Sequence, residues 1–487
     1  MTWHKRVSMV LLTIVLLTSG TAAGDASKLL NDDSLLPDFR YAGYLTGRNP
    51  IPDVQAVADV TRFGAKGDGT SDDSAAFLAA VKAAGAAEDG GAVVIPAGRF
   101  VITNVIRLPS NVVLRGAGAG KTVLVIPKSL QDLGGEKTVE DEKSGYAFSG
   151  GFVTIAGKEK TTRVAPLAAG ATRGDRKVLL SSVGKLKAGD RIRIVTNNDP
   201  SLGRYLHHDR FDAGKATFDH KNFIDWVARI DRIALNAITL DRPLRIDLRK
   251  QWQPEVWTYE PGVENVGVEN LTFEFAGRAK KEHLKEEGFN AIYFDGADNC
   301  WVRDVEFIDA DNGVNVTRAR FVTVENVTFK EAKRKSPSGH HALWAREAQD
   351  CLFSNFTFET QYVHDLAVEG FACGNVFEKG KGVAINFDHH GNAPYANLFT
   401  EIDVGDISRL WQSGGRSDRL PHTGVRSTIW GVTYEKGKVP KLPDWPQLIV
   451  VGVKGYTSGK DDQTIDEAGG RVTPANLFDA QKKFKLP

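Results

Sequence analysis

From residue 263 onward one short phrase keeps returning. Asn270-Leu-Thr-Phe273, Asp304-Val-Glu-Phe307, Asn326-Val-Thr-Phe329 and Asn355-Phe-Thr-Phe358 are versions of it, and Asn375-Val-Phe377 and Asn397-Leu-Phe399 are shorter echoes. The spacings are 34, 22, 29, 20 and 22 residues. A base period near 22, with insertions in some turns, marks a solenoid. Each repeat carries short alternating runs of Val, Ile, Phe and Thr, so its unit is a β-strand. This predicts an all-β chain coiled as a parallel β-helix, with coils stacked about 4.8 Å apart. The phenylalanines are then core stacks. Asn270, Asn326 and Asn355, and also Asn315, match N-x-[ST]. Recurrence at one repeat position makes them stacked turn residues bonded to the next coil, rather than glycan acceptors.

The rest of the chain fits around that solenoid. With 487 residues, 41% of them hydrophobic, it has ample material for a core. Lys plus Arg number 62 and Asp plus Glu 61. That balance argues against general nucleic-acid binding, which needs excess positive charge. Residues 1–23 read as a signal peptide: basic His4-Lys5-Arg6, an apolar run from Val7 to Leu17, then Thr21-Ala22-Ala23. No later stretch approaches 18 apolar residues, so no membrane insertion is expected, and the protein should be secreted or periplasmic.

Residues 24–58 look irregular. Residues 59–159 hold the first strands and a helix over 74–87, with Ser71 or Asp72 as its cap. Residues 160–250 read as a small β insertion, with His207-His208-Asp209, Asp219-His220 and Trp226 on a long loop. That loop is either solvated, a metal site, or a flap over a groove. Residues 251–435 hold the coils and the candidate site, and 436–487 a tail closing the last coils. Gly64-x-x-Gly67-x-Gly69 and Gly116-x-Gly118-x-Gly120-Lys121-Thr122 lack nucleotide-loop spacing and read as turns. Cys300, Cys351 and Cys373 are too few for a disulfide framework. They are expected to be buried thiols, with a Cys351–Cys373 bridge as the alternative.

The polar stretch from 340 to 422 holds six of the eleven histidines. His341, His364 and His389 are 23 and 25 residues apart, with Thr317 24 before His341 and Asp295 22 before Thr317. One period apart means one column on adjacent coils, and imidazoles near neutral pH can move protons. Asp365 and Asp388 flank the column and could orient an imidazole or act as acids. Arg346, Arg416 and Arg419 could clamp a carboxylate. Trp344, Tyr362, Tyr395 and Trp411 could stack on sugar rings. His340, His390 and His422 complete the candidate set. A metal held by His389 and His390 is disfavoured, because neighbours on a strand face opposite ways.

Val60-Thr-Arg-Phe-Gly-Ala-Lys-Gly-Asp-Gly-Thr-Ser-Asp-Asp73, a helix, and then Gly90-Gly-Ala-Val-Val-Ile-Pro-Ala-Gly98 resemble the opening of the pectate-lyase superfamily. These are right-handed parallel β-helices that include polygalacturonase- and rhamnogalacturonase-like enzymes. The resemblance covers 59 to about 125 and implies that the first strands and helix cap the solenoid. It also implies an extracellular polysaccharide substrate. The polygalacturonase motifs do not stand here intact; Asp309-Ala-Asp-Asn-Gly313 is a distant echo of one. The acidic cluster of the calcium-dependent lyases cannot be placed, so a calcium requirement stays open and no cofactor is certain.

Three readings follow. A polysaccharide lyase would use one of His341, His364 or His389 as base, with Arg416 or Arg346 as carboxylate clamp. A glycoside hydrolase would pair Asp365 with Asp388, one coil apart. A non-catalytic glycan-binding solenoid has no need of titrating groups. The lyase reading is preferred, for a monomer or small homo-oligomer.

Overall fold

The computed structural model describes residues 24–31, 35–135, 137–139, 142–209, 222–279, 281–334, 337, 339–414, 422–443, 445–456, 463–465 and 471–484. The expected leader, Asp219-His220, Arg416 and Arg419 lie outside the described residues.

The chain is a parallel β-helix. One long sheet runs from Ala56–Asp59 through Gly267–Phe275, Trp301–Ile308, Thr323–Lys330, Leu352–Phe358, Val376–Glu378, Leu398–Asp403 and Thr428–Thr433 to Ile449–Val451 and Gln463–Ile465. A second, eight-stranded sheet runs Ile106–Arg107, Val153–Ala156, Asn290–Asp295, Asn312–Thr317, Gly339–Arg346, Tyr362–Glu369, Phe387–His389, Trp411–Ser413. A third side of each coil is marked by single parallel bridges from Asp298 through Arg320, Gln349 and Cys373 to Tyr395.

The recurrent phrase explains the stacking. Phe273, Phe307, Phe329 and Phe358 form a buried ladder with ring centroids 5.7, 4.9 and 4.8 Å apart. Phe353, Phe377 and Phe399 form a second, at 4.5 and 4.9 Å. The asparagines at the head of the phrase are partly buried or exposed and left-handed, with φ 61° at Asn270, 55° at Asn326 and 52° at Asn355. Asn tolerates that conformation better than most residues, and Asn326 Nδ2 bonds Asp304 Oδ1 of the previous coil at 3.1 Å. Asn375 is not the next member. The register sets Leu352 opposite Val376, so Lys379, also left-handed, takes that place. Asn375 instead lies in the turn before its strand, buried, and donates to Asn397 Oδ1 at 2.9 Å.

The helix Ser74–Gly85 packs Phe77, Ala80, Val81 and Ala84 into the core with Val93 and Val112, and Asp72 accepts from Ser74 N at 3.0 Å. The insertion is an antiparallel six-stranded sheet that ends at Glu255–Glu260 rather than at 250, because this strand pairs with Lys160–Pro166. It docks on the third side of the coils. Gln349 Oε1 accepts from Val227 N at 3.0 Å, and buried Asp350 holds both Arg242 (2.9 Å) and Arg245. Trp226 is in the strand Asn222–Ala234, buried, with Arg242 4.7 Å from its ring, and not on a loop. His207 follows the helix Pro200–Leu206 as its buried C-cap.

The first and last described segments run together. Gly24–Asp25 pairs with Val472–Thr473, and Ala26, Leu30, Phe39, Leu477 and Phe478 pack with Val376, Leu398 and Trp430 of the long sheet. Strand Ile449–Val451 does extend the coils, but the final helix Leu477–Phe484 folds back along their flank. All three cysteines are buried thiols without a disulfide. Among the described residues no helix is long and apolar enough to cross a membrane.

Candidate functional site

The histidines gather on the eight-stranded sheet because its strands do not alternate evenly. In Gly339–Arg346 both Ala342 and Leu343 belong to the core. His341 and Trp344 therefore share the outer side, and their rings stack at 3.9 Å with an 8° interplanar angle. His364 lies directly across from His341 on the next strand, ring to ring at 4.6 Å. Trp344, Ala367 and Asp388 line up on three successive strands. Asp388 Oδ2 lies 3.1 Å from Nδ1 of His364 and 3.1 Å from Nδ1 of His390.

The expected five-residue column is only partly present. Asp295 pairs with Thr317, and His341 with His364. Thr317, however, pairs with Arg346, and His389 with Val368. The reason is uneven coil length: Asn312 to His341 spans 29 residues, while Leu366 to Phe387 spans 21. The shift turns His389 into the core, fully buried, with its ring centroid 3.9 Å from that of Trp445. Burial pushes its imidazole down to about 3. His389 is thus a core histidine and not a groove residue.

All four proposed sugar platforms are buried, Trp344 at 1% exposure against the His341 ring among them. Tyr362 packs edge-on against Phe329 in the core, Trp411 packs on Phe387 and Trp445, and Tyr395 is buried beneath the insertion, bonded to Cys373. Asp365 is buried and serves a turn. It accepts from Tyr362 N at 2.9 Å and Asn386 N at 3.0 Å and lies 3.4 Å from Arg409. Burial pushes its carboxyl up to about 6. Arg346 is partly buried, 5.6 Å from the Trp344 ring and paired in register with Glu369. His422 lies near enough to His390 and Asp388 to feel both charges, and burial moves it down.

Two members were not foreseen. His283 Nε2 lies 3.0 Å from His340 Nε2, and buried Glu286 Oε2 lies 3.6 Å from His340 Nδ1. Both come from the excursion between strands Gly267–Phe275 and Asn290–Asp295. The only sequence signal for it is the 34-residue step between Asn270 and Asp304, 12 longer than the next.

The electrostatics follow from crowding. Burial, then the imidazoles of His340 and His364, hold His341 well below the ordinary histidine range. Burial would raise Asp388, but His364 and His390 outweigh it and keep the carboxylate well below its usual range. Among the described residues two groups bring ligand atoms within 4.8 Å of one another: His283, His340 and His364, and His364, Asp388 and His390. Calcium takes six to eight oxygen ligands. A set dominated by imidazole nitrogens does not fit it. His207 and His208 belong to neither group.

Comparisons with known proteins agree with this fold. The family model described as "Rhamnogalacturonase A/epimerase, pectate lyase-like" matches residues 57–155, and one described as a domain of unknown function (DUF4955) matches residues 361–487. The mannuronan C5-epimerase AlgE3 of Azotobacter vinelandii is 45% identical over 73 residues, 14% of this chain and 4% of that protein. The pre-neck appendage protein of Bacillus phage phi29 is 45% identical over 105 residues, 20% of this chain and 12% of that protein. The chain thus spans a small part of each of these relatives. The tailspike protein gp49 of Pseudomonas phage LKA1 superposes with a TM-score of 0.55 at 14% identity, covering 84% of this chain and 64% of that one.

Proposed function

We propose that this chain, a member of the pectate-lyase-like β-helix superfamily, is an exported enzyme that cleaves a uronate-containing polysaccharide by β-elimination. The observation that carries this reading is the Asp388–His390 pair. Nδ1 of His390 is engaged by Asp388 at 3.1 Å, and the side chain is 23% exposed while that of Asp388 is fully buried. A carboxylate on Nδ1 sets the tautomer and leaves Nε2 to accept a proton. His341 and His364 are more deeply buried and support the pair from behind.

In the proposed step His390 Nε2 takes the proton from C5 of the uronate. The C5–H electron pair becomes the C4–C5 double bond, and the C4–O4 bond breaks. The departing oxygen takes a proton from water. Arg346 or Arg416 would hold the uronate carboxylate. The hydrolase reading is weaker because Asp365, one of its two carboxyls, already serves backbone amides.

The test is to incubate the protein with a panel of uronate-containing and neutral polysaccharides, following ultraviolet absorbance of unsaturated products and new reducing ends together. Both signals on a uronate polymer, lost in His390→Ala, support the reading. Reducing ends without absorbance would replace it with hydrolysis. Exchange of the C5 proton without chain cleavage would replace it with epimerisation.

A further inference from the structure

The second cluster on this face has a different design. His283 and His340 point their Nε2 atoms at each other, 3.0 Å apart. Behind His340, on Nδ1, stands the Glu286 carboxylate, itself fully buried. Behind His364, on Nδ1, stands the Asp388 carboxylate, also fully buried. Among the described residues His364 Nε2 is buried without a hydrogen-bond partner, in a residue 5% exposed. His364 therefore has a buried carboxylate 3.1 Å from Nδ1 and His340 one at 3.6 Å, while His340 Nε2 meets His283 Nε2. Metal-binding histidines are held in this way, because the outer carboxylate fixes the tautomer and raises ligand basicity.

We propose that His283, His340 and His364 form a binding site for a divalent transition-metal cation of the zinc type. The three residues already bring one ligand atom each within 4.8 Å of the others. Metal–nitrogen bonds of about 2.0–2.1 Å in a tetrahedron put ligand atoms about 3.3–3.4 Å apart. The 3.0 Å contact between His283 and His340 needs only a few tenths of an ångström of opening. Three protein ligands leave a fourth position for water or substrate, the pattern of catalytic rather than structural sites. The three histidines come from two adjacent strands and an exposed loop, so metal binding would tie the 281–288 segment to the sheet. Imidazole donors select zinc-like ions over calcium and magnesium, which prefer oxygen. The site goes beyond the elimination reading and does not depend on it, since it is read by binding alone.

The experiment uses the full chain stripped with a chelator and dialysed. Uptake of zinc is measured by elemental analysis and calorimetry, and cobalt(II) is added in parallel as a spectroscopic probe. One equivalent of zinc should bind, cobalt should give the visible bands of a low-coordinate imidazole site, and excess calcium should not displace either. His283→Ala removes an exposed ligand and should weaken zinc binding at least tenfold while leaving the melting temperature of the metal-free protein unchanged. Glu286→Gln, which keeps the shape of the buried side chain, should weaken it by about 10- to 100-fold. Failure of the wild-type protein to take up zinc would overturn the proposal. Equal zinc affinity in wild type and both variants would do the same.

Discussion

His364 and Asp388 meet at 3.1 Å across neighbouring coils, although the register places Asp388 opposite Ala367 and not opposite His364. The Asp388 carboxylate reaches diagonally and, with the same oxygen, also holds His390. A single buried carboxylate thus orients two imidazoles. Asp388→Asn keeps the shape but loses the charge that sets both tautomers. We expect turnover on the cleaved uronate polymer to fall by about 10²- to 10⁴-fold. A variant within threefold of wild type would remove Asp388 from the chemistry.

His389 gives the opposite prediction. Its folded-state value of about 3 lies below the ordinary histidine value of 6.5. As pH falls below 6.5 the unfolded chain takes up a proton that the core refuses, so stability present at neutral pH is lost on acidification. The slope is up to about 1.4 kcal/mol per pH unit for one such group. His389→Leu should leave turnover unchanged and flatten the drop in melting temperature between pH 6.5 and pH 4. Parallel melting curves for the two proteins would place His389 in contact with solvent.

Phe329 sits in the middle of its ladder, 4.9 Å from Phe307 and 4.8 Å from Phe358, with no exposed surface. Phe329→Ala should cost about 3–5 kcal/mol by the lost burial and the cavity left between coils. Denaturant unfolding followed by circular dichroism measures it. A loss under 1 kcal/mol would mean that the stack collapses to fill the gap.

Asp350 is the counter-charge for two guanidinium groups of the insertion, Arg242 and Arg245, and all three are buried. Removing one partner of a buried pair typically costs about 3–5 kcal/mol, because the charge left behind is unsatisfied. Asp350→Ala should loosen the insertion from the coils and expose 160–260 to limited proteolysis before the β-helix unfolds. Unchanged cleavage kinetics would show that Gln349, and Arg320 through Tyr259 at 3.0 Å and Asp225 at 3.3 Å, hold the insertion alone.

The architecture was legible in the chain because one physical demand recurs every coil. Each turn of the solenoid needs an aromatic in the core at the same place and a residue tolerant of a left-handed bend before it, so the phrase Asn-x-Thr-Phe repeats. The burial of the cysteines could be read too, since cysteine number is a local property of the sequence. The pairing of His341 with His364 was also within reach, because those two histidines are one coil apart.

What the tertiary structure alone decided is which neighbours of those residues face outward. Coil lengths of 21, 23, 24 and 29 residues shift the register from strand to strand, and a one-residue shift reverses the side of the sheet that a side chain occupies. That is why His389 went into the core while His390 stayed at the surface, and why Tyr362 and Trp411 became packing residues. It is also why His283 and Glu286 could not be anticipated. They lie in a long excursion outside the repeat, and only the folding of that excursion back over the sheet brings His283 within 3.0 Å of His340, 57 residues away. A repeating sequence determines its own coil, but the lengths of its turns, settled in three dimensions, determine what the coil presents.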